Sequence, residues 1–389
     1  MKNNALTWVQ VDLKAIRYNL KTLSRLAAGR KFHLKTRASS SKKKFEPTNI
    51  LPVIKADAYG HGMEAIARSL NKEGIEFFGV SDVNEGIRLR RMGIKKTILL
   101  FESTLVSQVK PIVDYRLTPT VCTFNLASAL NRYAKRLHRR IDIHIKVDTG
   151  MRRLGIWHVE AYDFIKALQD LRFLRIMGIY THFPVADSDR QFTKKQIDCL
   201  YHLVMRLDRA GLIIPYIHAA NSMGLVDYPT HVLNLARPGL MLYGLYPHPN
   251  LEKIVRLKPA LSVKSQIILV KRVKKGQSVS YGRTFFAKKD MNIAIIPIGY
   301  SDGYVRHFSN KASVLIGGRP CPVVGRVTMD QIMVDVSSLK SPKVGMAVTI
   351  LGRDGRERIT AEELARYADT INYEIICSLG NRLPRKYKS

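Results

Sequence analysis

The chain has 389 residues, of which 46% are hydrophobic, and this composition excludes an intrinsically disordered protein and favours two folded domains. No apolar run reaches about 18 residues, which excludes a transmembrane helix. The formal net charge is +33, a surplus that favours nonspecific contact with polyanions and does not bear on the fold.

The basic residues are densest between Gly29 and Lys44, in a stretch that also holds three consecutive serines and no acidic residue. This pattern predicts a solvated loop. The stretch does not show the repeated interleaving of aromatic residues or a known module that RNA-binding proteins have, so we expect no specific nucleic-acid partner. Because no apolar run could span a bilayer, we expect no membrane partner either. The four cysteines are too far apart for a zinc or redox pair, and no secretory signal is visible, which together predict a cytoplasmic protein with free thiols and no metal site.

In chain order, short β-rich runs alternate with amphipathic helical stretches between residues 50 and 237, and the apolar spacing predicts helices over residues 63–71, 83–92, 124–137 and 194–210. The runs begin at Ile50, Glu76, Thr97, Leu117, Ile141, Phe173, Tyr216 and Val232. Eight strand–helix units predict an α/β fold, a closed (β/α)8 TIM barrel. The alternative is an open doubly wound sheet, whose glycine-rich dinucleotide fingerprint is missing after the first strand.

Beyond Leu257 the strand-like runs follow one another directly, and only Ala361 to Ala368 reads as a clear helix. This pattern predicts an appended C-terminal all-β domain. We therefore expect a barrel over residues 13–256 and a β domain over residues 257–389. The strand over residues 5–12 is a candidate to join the second domain.

The first barrel strand ends in ILPVIKADAYGHG, which places Lys55 at its C-terminal end. Catalytic groups of barrels lie at this end of the strands. A partly desolvated lysine loses its ammonium form more readily and becomes nucleophilic, which a Schiff-base lysine requires. A surface lysine at a strand end is the alternative.

This string resembles the pyridoxal-phosphate lysine motif of alanine racemases, and the resemblance extends over nearly the whole chain. The further segments that carry it are HIKVDTGMRRLGI, YTHFPVAD, IHAANS, LARPGLMLYG, SYGRTFFA, IPIGYSDGY, GRVTMDQIMVDV and TINYEIICSLGNRLPR. The resemblance implies a barrel with a C-terminal β domain, pyridoxal phosphate as cofactor and a homodimer with shared active sites. It also implies a two-base interconversion of L- and D-alanine that supplies D-alanine for peptidoglycan.

The resemblance also implies residue roles. Lys55 would hold the cofactor and act as one acid–base group, and Tyr281 would be the other, supported by His182. Arg237 would face the pyridine nitrogen with His218 behind it. The cofactor phosphate would be bound by Tyr59, Ser222, Gly239 and Leu240. The substrate would be bound by Arg153, Met329, Tyr300 and Asp330, of which Tyr300 and Met329, like Tyr281, would reach the opposite subunit's site. Lys146 would be a carbamate that orients Arg153, with an unmodified buried lysine as the alternative.

One position departs from the family pattern. Asn381 stands where most alanine racemases have a tyrosine that contacts the cofactor phosphate and crowds the substrate side chain. Asparagine is shorter and offers both a donor and an acceptor. The sequence therefore leaves two alternatives open: a serine or broader-specificity racemase, and a non-catalytic barrel that carries pyridoxal phosphate. The predicted β domain and Tyr281 argue against the second alternative.

Overall fold

The computed structural model of the chain describes residues 5–29, 49–228 and 233–389. From residue 30 onward, the predicted basic loop up to Lys44 lies outside the described residues, as does Val232. The chain divides into two compact units. The first, here the β unit, comprises Met1–Lys14, Tyr59–Gly62 and Pro259–Ser389, and the second, here the barrel unit, comprises Ala15–Ala58 and Met63–Lys258.

Strands and helices alternate through the first two thirds of the described chain. Its strands are β1 (Trp8–Asp12), β2 (Asn49–Ile50), β3 (Phe77–Val80), β4 (Thr97–Ser103), β5 (Thr118–Val121), β6 (Ile141–Asp148), β7 (Ile156–Trp157), β8 (Leu174–Tyr180), β9 (Tyr216–His218) and β10 (Leu235–Ala236). Its helices are α1 (Leu13–Ala28), α2 (Met63–Asn71), α3 (Val83–Arg91), α4 (Val109–Asp114), α5 (Phe124–Arg136), α6 (Ala161–Ala167), α7 (Arg190–Arg209) and α8 (Ser222–Asp227).

The parallel strands of the barrel unit form a ring. Strands β3, β4, β5, β6, β8 and β9 are neighbours in that order, and β10 pairs with β2. The Ile54 N–H donates to the Gly79 carbonyl at 2.9 Å beside β3, and the Asn234 N–H donates to the Ile217 carbonyl at 3.0 Å beside β9. These bonds connect the short pair of β2 and β10 to both edge strands of the sheet, β3 and β9. The sheet therefore closes, which confirms the predicted (β/α)8 barrel.

Amphipathic spacing predicted the helices of the barrel unit well. Helix α2 has the predicted bounds, and α3 and α5 end one residue earlier than predicted. Helix α7 begins four residues earlier than its apolar pattern suggests, because the Asp189 side chain accepts the Phe192 N–H at 2.9 Å and caps the helix there.

The β unit consists mainly of strands. Beyond β1 they are β11 (Leu261–Gln266), β12 (Leu269–Val273), β13 (Ser278–Val279), β14 (Phe285–Phe286), β15 (Met291–Ile296), β16 (Ser313–Ile316), β17 (Arg319–Pro322), β18 (Ile332–Asp335), β19 (Ala347–Asp354), β20 (Glu357–Ile359) and β21 (Arg385–Lys388). Helices α9 (Ala361–Ala368) and α10 (Asn372–Cys377) complete it. The expectation of one clear helix in this unit is wrong, because α10 is a second one. Its six residues are too few for a helical period to stand out in the sequence.

The main sheet of the β unit has the order β17, β16, β19, β11, β1, β21, with β20 beside β19. Strand β1 lies antiparallel to β11 and parallel to β21, so both ends of the chain enter this sheet. A second sheet of β12, β15 and β18 packs around a buried apolar cluster that includes Val273, Ile293 and Met333. In the residues that the structure describes, no helix combines the length and apolar character needed to cross a membrane.

Candidate active site

Lys55 lies, half-buried, where the first barrel strand ends. The four residues after it have positive φ angles: 52° at Ala56, 51° at Asp57, 56° at Ala58 and 54° at Tyr59. They form a left-handed turn that the Ala58 N–H closes by donating to the Ile54 carbonyl at 2.9 Å. L-residues pay about 1–2 kcal/mol each in this region, and strain of this kind concentrates at functional sites. Neither residue type nor spacing predicted this turn.

Arg237 follows β10, is 4% exposed and is surrounded by acceptors. Its Nη2 donates to the carbonyls of Thr181 and Ala219 at 2.8 and 3.0 Å, and its Nη1 bonds His218 Nδ1 at 2.8 Å. Burial lowers the pKa of Arg237 to about 10. Because this value is still well above neutral pH, the guanidinium stays charged. This cage fixes one cation at the carboxyl ends of the barrel strands.

A chain of buried imidazoles extends from Arg237. Because arginine can only donate, His218 Nδ1 accepts, and its Nε2 carries the proton that it shares with His144 Nδ1 at 2.8 Å. Burial, helped by the nearby Arg237 charge, lowers the pKa of His144 to about 3 and holds the pKa of His218 well below its usual value. His218 also stacks on Tyr180, with ring centroids 4.6 Å apart. Both histidines are therefore neutral at pH 7.

His182 is fixed in one tautomer by the same arginine. Its Nδ1 accepts from Arg237 Nη2 at 3.4 Å, which leaves the proton on Nε2. Burial, together with the positive charges of Arg237 and Arg153, holds the pKa of His182 well below its usual value. His182 therefore presents a neutral N–H donor.

Lys146, on β6, is 7% exposed. Its Nζ lies 4.3 Å from the centroid of the Tyr180 ring. Burial lowers its pKa well below the usual value, and the cations of Arg237 and Arg153 lower it further. The site therefore favours a neutral amine, or a group that carries negative charge, over an ammonium.

The loop after β6 separates the two adjacent arginines. The Asp148 carboxylate accepts the backbone N–H groups of Gly150 and Arg152 at 2.8 and 3.1 Å. The Arg152 guanidinium packs 3.6 Å from the centroid of the Trp157 ring. Arg153 remains exposed, and its charge acts on Lys146 and His182. Of the two arginines, Arg153 is thus electrostatically coupled to the cluster at the strand ends.

Ser222, Gly239 and Leu240 are buried together. Ser222 Oγ accepts the Gly239 N–H at 3.1 Å and the Met241 N–H at 3.4 Å. Ser222 begins α8, and Leu240 begins a short 3-10 turn. The first amides of helical turns lack intrahelical acceptors and suit an anionic group.

The remaining predicted residues belong to the β unit. Tyr59 is buried and lies 6.2 Å, centroid to centroid, from the Tyr373 ring, and burial raises its pKa. Tyr281, Tyr300 and Met329 are 71%, 44% and 53% exposed.

The surface around Tyr300 is built from three segments of the β unit. The Tyr300 N–H donates to the Thr328 carbonyl at 3.1 Å. Asp330 accepts from Arg382 Nη1 at 2.8 Å, which brings the exposed Asn381 segment to the same place. The structure thus groups Tyr300, Met329, Asp330 and Asn381 on one surface.

The donor set in the barrel unit fits pyridoxal phosphate. A lysine amine at a strand end suits the aldehyde, a buried guanidinium suits a ring nitrogen that accepts, and Ser222 with nearby amides suits a phosphate. Over residues 5–29, 49–228 and 233–389, no three His, Cys, Asp or Glu side chains are grouped as metal ligands.

Comparisons with known proteins find similarity to the same family in both units. Residues 31–247 match the family model "Alanine racemase, N-terminal domain", and residues 260–387 match "Alanine racemase, C-terminal domain". An alanine racemase of Halothermothrix orenii is 37% identical over 384 residues, 98% of this chain and 97% of that protein. The structure of an alanine racemase of Clostridium difficile 630 has a TM-score of 0.90 and 35% identity, covering 100% of this chain and 97% of its own. An alanine racemase structure of Bartonella henselae, described as carrying covalently bound pyridoxal phosphate, has a TM-score of 0.83 and 27% identity, covering 99% and 100%.

Proposed function

Because the chain belongs to the alanine racemase family, we propose that Lys55 holds its pyridoxal phosphate and that Lys55 and Tyr281 are its two acid–base groups. The chain is an enzyme that interconverts L- and D-alanine. The observation that carries the assignment of Lys55 is its place at a barrel strand end, in the same unit as the caged Arg237 and the buried Ser222. We also propose that the D-alanine serves peptidoglycan synthesis in the cytoplasm.

Racemisation requires a proton acceptor on one face of the substrate Cα and a proton donor on the other, because a single group returns the proton to the face it left. When bound, pyridoxal phosphate supplies a ring that makes the α-proton of an attached amino acid acidic. The Lys55 amine would take or give the proton on one face. The Tyr281 hydroxyl of a second copy of the chain would do so on the other face. This division requires a homodimer with shared sites, and the exposure of Tyr281, Tyr300 and Met329 supports it.

The Arg237 cluster would control both the ring and the tyrosine. A guanidinium only donates, so a ring nitrogen facing Arg237 must accept and stays unprotonated. The weaker electron withdrawal of an unprotonated ring disfavours side reactions such as transamination. The N–H of His182 would donate to the phenol oxygen of Tyr281 from the second copy, and such a donor stabilises a phenolate. His218 holds Arg237 in place from behind.

Two further sets of residues would bind the two anionic groups, the cofactor phosphate and the substrate carboxylate. Ser222, the amides of Gly239 and Leu240, and Tyr59 would bind the phosphate, with Asn381 beside it. Arg153 would bind the substrate carboxylate with Met329, Tyr300 and Asp330 of the second copy. A neutral Lys146 amine can add to carbon dioxide, forming an N–C bond and releasing a proton, and the resulting carbamate would carry negative charge beside Arg153 and Arg237. The lowered pKa of Lys146 favours this modification.

Asn381 supports a second candidate, racemisation of serine. Its side chain is exposed and can both donate to and accept from a substrate hydroxyl. A non-catalytic cofactor carrier is less well supported, because it would not need Tyr281 or the β unit.

The assignment of Lys55 is tested by reducing the purified enzyme with borohydride and mapping the modified peptide, because reduction makes the cofactor link permanent. We expect the label on Lys55, and its complete loss in Lys55→Ala together with racemisation. Lys146→Ala is the matched control, since it removes the other lysine of the site. It should keep the label on Lys55 and raise KM for alanine. A label on Lys146, or normal activity in Lys55→Ala, would contradict the assignment.

A further inference from the structure

Glu85 is a half-buried carboxylate in the first turn of α3 that no motif of the sequence singled out. Its Oε1 accepts the N–H of Ala56 at 2.7 Å, the residue directly after Lys55. Its Oε2 accepts the N–H of Ser81 at 2.7 Å, just after β3. One side chain therefore bridges the ends of two neighbouring barrel segments.

These bonds differ from ordinary helix capping. The cap of α3 is Asp82, whose Oδ1 accepts the Glu85 N–H at 2.9 Å. Both Glu85 oxygens instead bond to amides outside the helix. An ionised acceptor makes hydrogen bonds roughly twice as strong as a neutral one, and the N-terminus of α3 favours its negative charge. Burial raises the pKa of the Glu85 carboxyl, and the hydrogen bonds from the Ser81 and Ala56 amides oppose that rise. Glu85 is thus placed to hold another segment.

The segment it holds needs such a restraint. The left-handed turn over Ala56 to Tyr59 is unfavourable for L-residues, and its first N–H is the one bound by Glu85. The Ala56 nitrogen shares a rigid peptide plane with the carbonyl of Lys55. Holding that N–H therefore restrains the carbonyl carbon of Lys55, which is one of the three backbone atoms that set the direction in which the lysine side chain leaves the strand.

We propose that Glu85 is a positioning residue for the reaction: its carboxylate holds the turn after Lys55 so that the lysine amine is aimed at the reacting centre. The proposal rests on the assignment of Lys55 made above. A misdirected amine would slow proton transfer while leaving the other substrate contacts in place, because reaction rates depend steeply on the placement of the reacting groups.

The test compares Glu85→Ala and Glu85→Gln with Glu102→Gln as a matched control. Glu102 is an exposed carboxylate that accepts from the Ser81 hydroxyl at 2.7 Å. The readouts are kcat and KM for alanine, and hydrogen–deuterium exchange of the peptide covering residues 55–59 in the purified enzyme. We expect Glu85→Ala to lower kcat about tenfold or more with KM nearly unchanged, and to speed exchange of that peptide by a similar factor. Glu85→Gln, which keeps one acceptor, should show a smaller change in both.

Values for Glu85→Ala equal to those of Glu102→Gln in both readouts would overturn the proposal, as would a rise in KM with kcat unchanged. If Glu85→Ala does not fold, the isosteric Glu85→Gln decides, and wild-type exchange and kcat in that variant would overturn it. The Lys55→Ala variant separates this outcome from failure of the underlying assignment. If Lys55→Ala retains covalently bound cofactor, the assignment of Lys55 fails, whatever Glu85 does.

Discussion

Asn381 is the residue on which the proposed second substrate, serine, depends. It lies on the surface that Arg382 joins to Asp330, beside the exposed Tyr300 and Met329. In most members of the family a tyrosine fills this position. If this position lines the active site, as we propose, the shorter side chain would leave space beside a substrate methyl group and add polar atoms that a substrate hydroxyl could use.

Asn381→Tyr should therefore shift the preference toward alanine. The substitution removes an amide that could pair with a substrate hydroxyl, and one such hydrogen bond is worth about 1–3 kcal/mol, or roughly ten- to hundredfold. We expect the ratio of kcat/KM for serine to kcat/KM for alanine to fall by that factor, measured by chiral separation of the products. Cofactor affinity should hold or rise, because the family resemblance implies that a tyrosine hydroxyl here contacts the phosphate. An unchanged ratio would show that Asn381 does not face the substrate.

For individual residues, the sequence could predict which residue types form the site but not which groups they contact. Arg237 was expected to face a ring nitrogen, and the structure adds the two carbonyls that hold it. Glu85 was missed because an acidic residue in a first helical turn is ordinary, and nothing in the spacing shows that its oxygens leave the helix. The stacking of Arg152 on Trp157, which distinguishes it from its neighbour Arg153, could not be predicted from the sequence.

Strands β6 and β9, which lie on either side of β8 in the sheet, are also joined by a side-chain hydrogen bond. His144 on β6 and His218 on β9 share a buried hydrogen bond beside Arg237. Because both imidazoles stay neutral in the folded protein, these elements should make stability depend on pH.

The direction of this pH dependence follows from the difference in bound protons between the folded and unfolded states. The pKa of His144 is about 3 when folded and about 6.5 in an unfolded chain, so between these values only the unfolded state binds the proton. Stability is fully present above pH 6.5 and falls as the pH drops, by about 1.4 kcal/mol per pH unit for this histidine. His144→Gln, whose carbonyl can still accept from His218, should reduce the slope of unfolding free energy against pH by about that amount between pH 6 and 4.5. Urea unfolding at three pH values measures it, with His202→Gln removing an exposed imidazole as the matched control. An identical slope in wild type and His144→Gln would mean that His144 titrates normally.

Elements were predicted from the sequence to the extent that they are periodic. Helices α2, α3 and α5 bury one face, and their bounds agree with prediction within a residue. Helix α10 is too short for that signal. The left-handed turn after Lys55 is invisible to it, because Ala, Asp and Tyr carry no preference for positive φ strong enough to mark it.

For the whole molecule, the central question is where the second acid–base group comes from. Tyr281 is 71% exposed, and Met329 and Tyr300 are exposed with it. These side chains would be covered if each reached into the active site of a second copy. Composition and periodicity carry no information on this point, and only the family resemblance suggested it.

Mixing two inactive variants tests this arrangement. Lys55→Ala and Tyr281→Phe are purified separately and mixed under conditions that exchange subunits. Each variant alone should be nearly inactive. In a matched control, the double variant carrying both substitutions is mixed in equal amount with wild type. If sites are shared, heterodimers of this control have no intact site, so about a quarter of the sites remain active, against about half if each chain holds its own site.

The most direct measurement is the D-alanine formed from L-alanine by the equimolar mixture of Lys55→Ala and Tyr281→Phe. With shared sites, each heterodimer combines one doubly impaired site with one intact site that takes Lys55 from one chain and Tyr281 from the other. We therefore predict recovery to about a quarter of the wild-type rate after random exchange. A mixture that stays as inactive as its two components, although exchange is shown by differently tagged chains, would contradict the two-base site built from two chains.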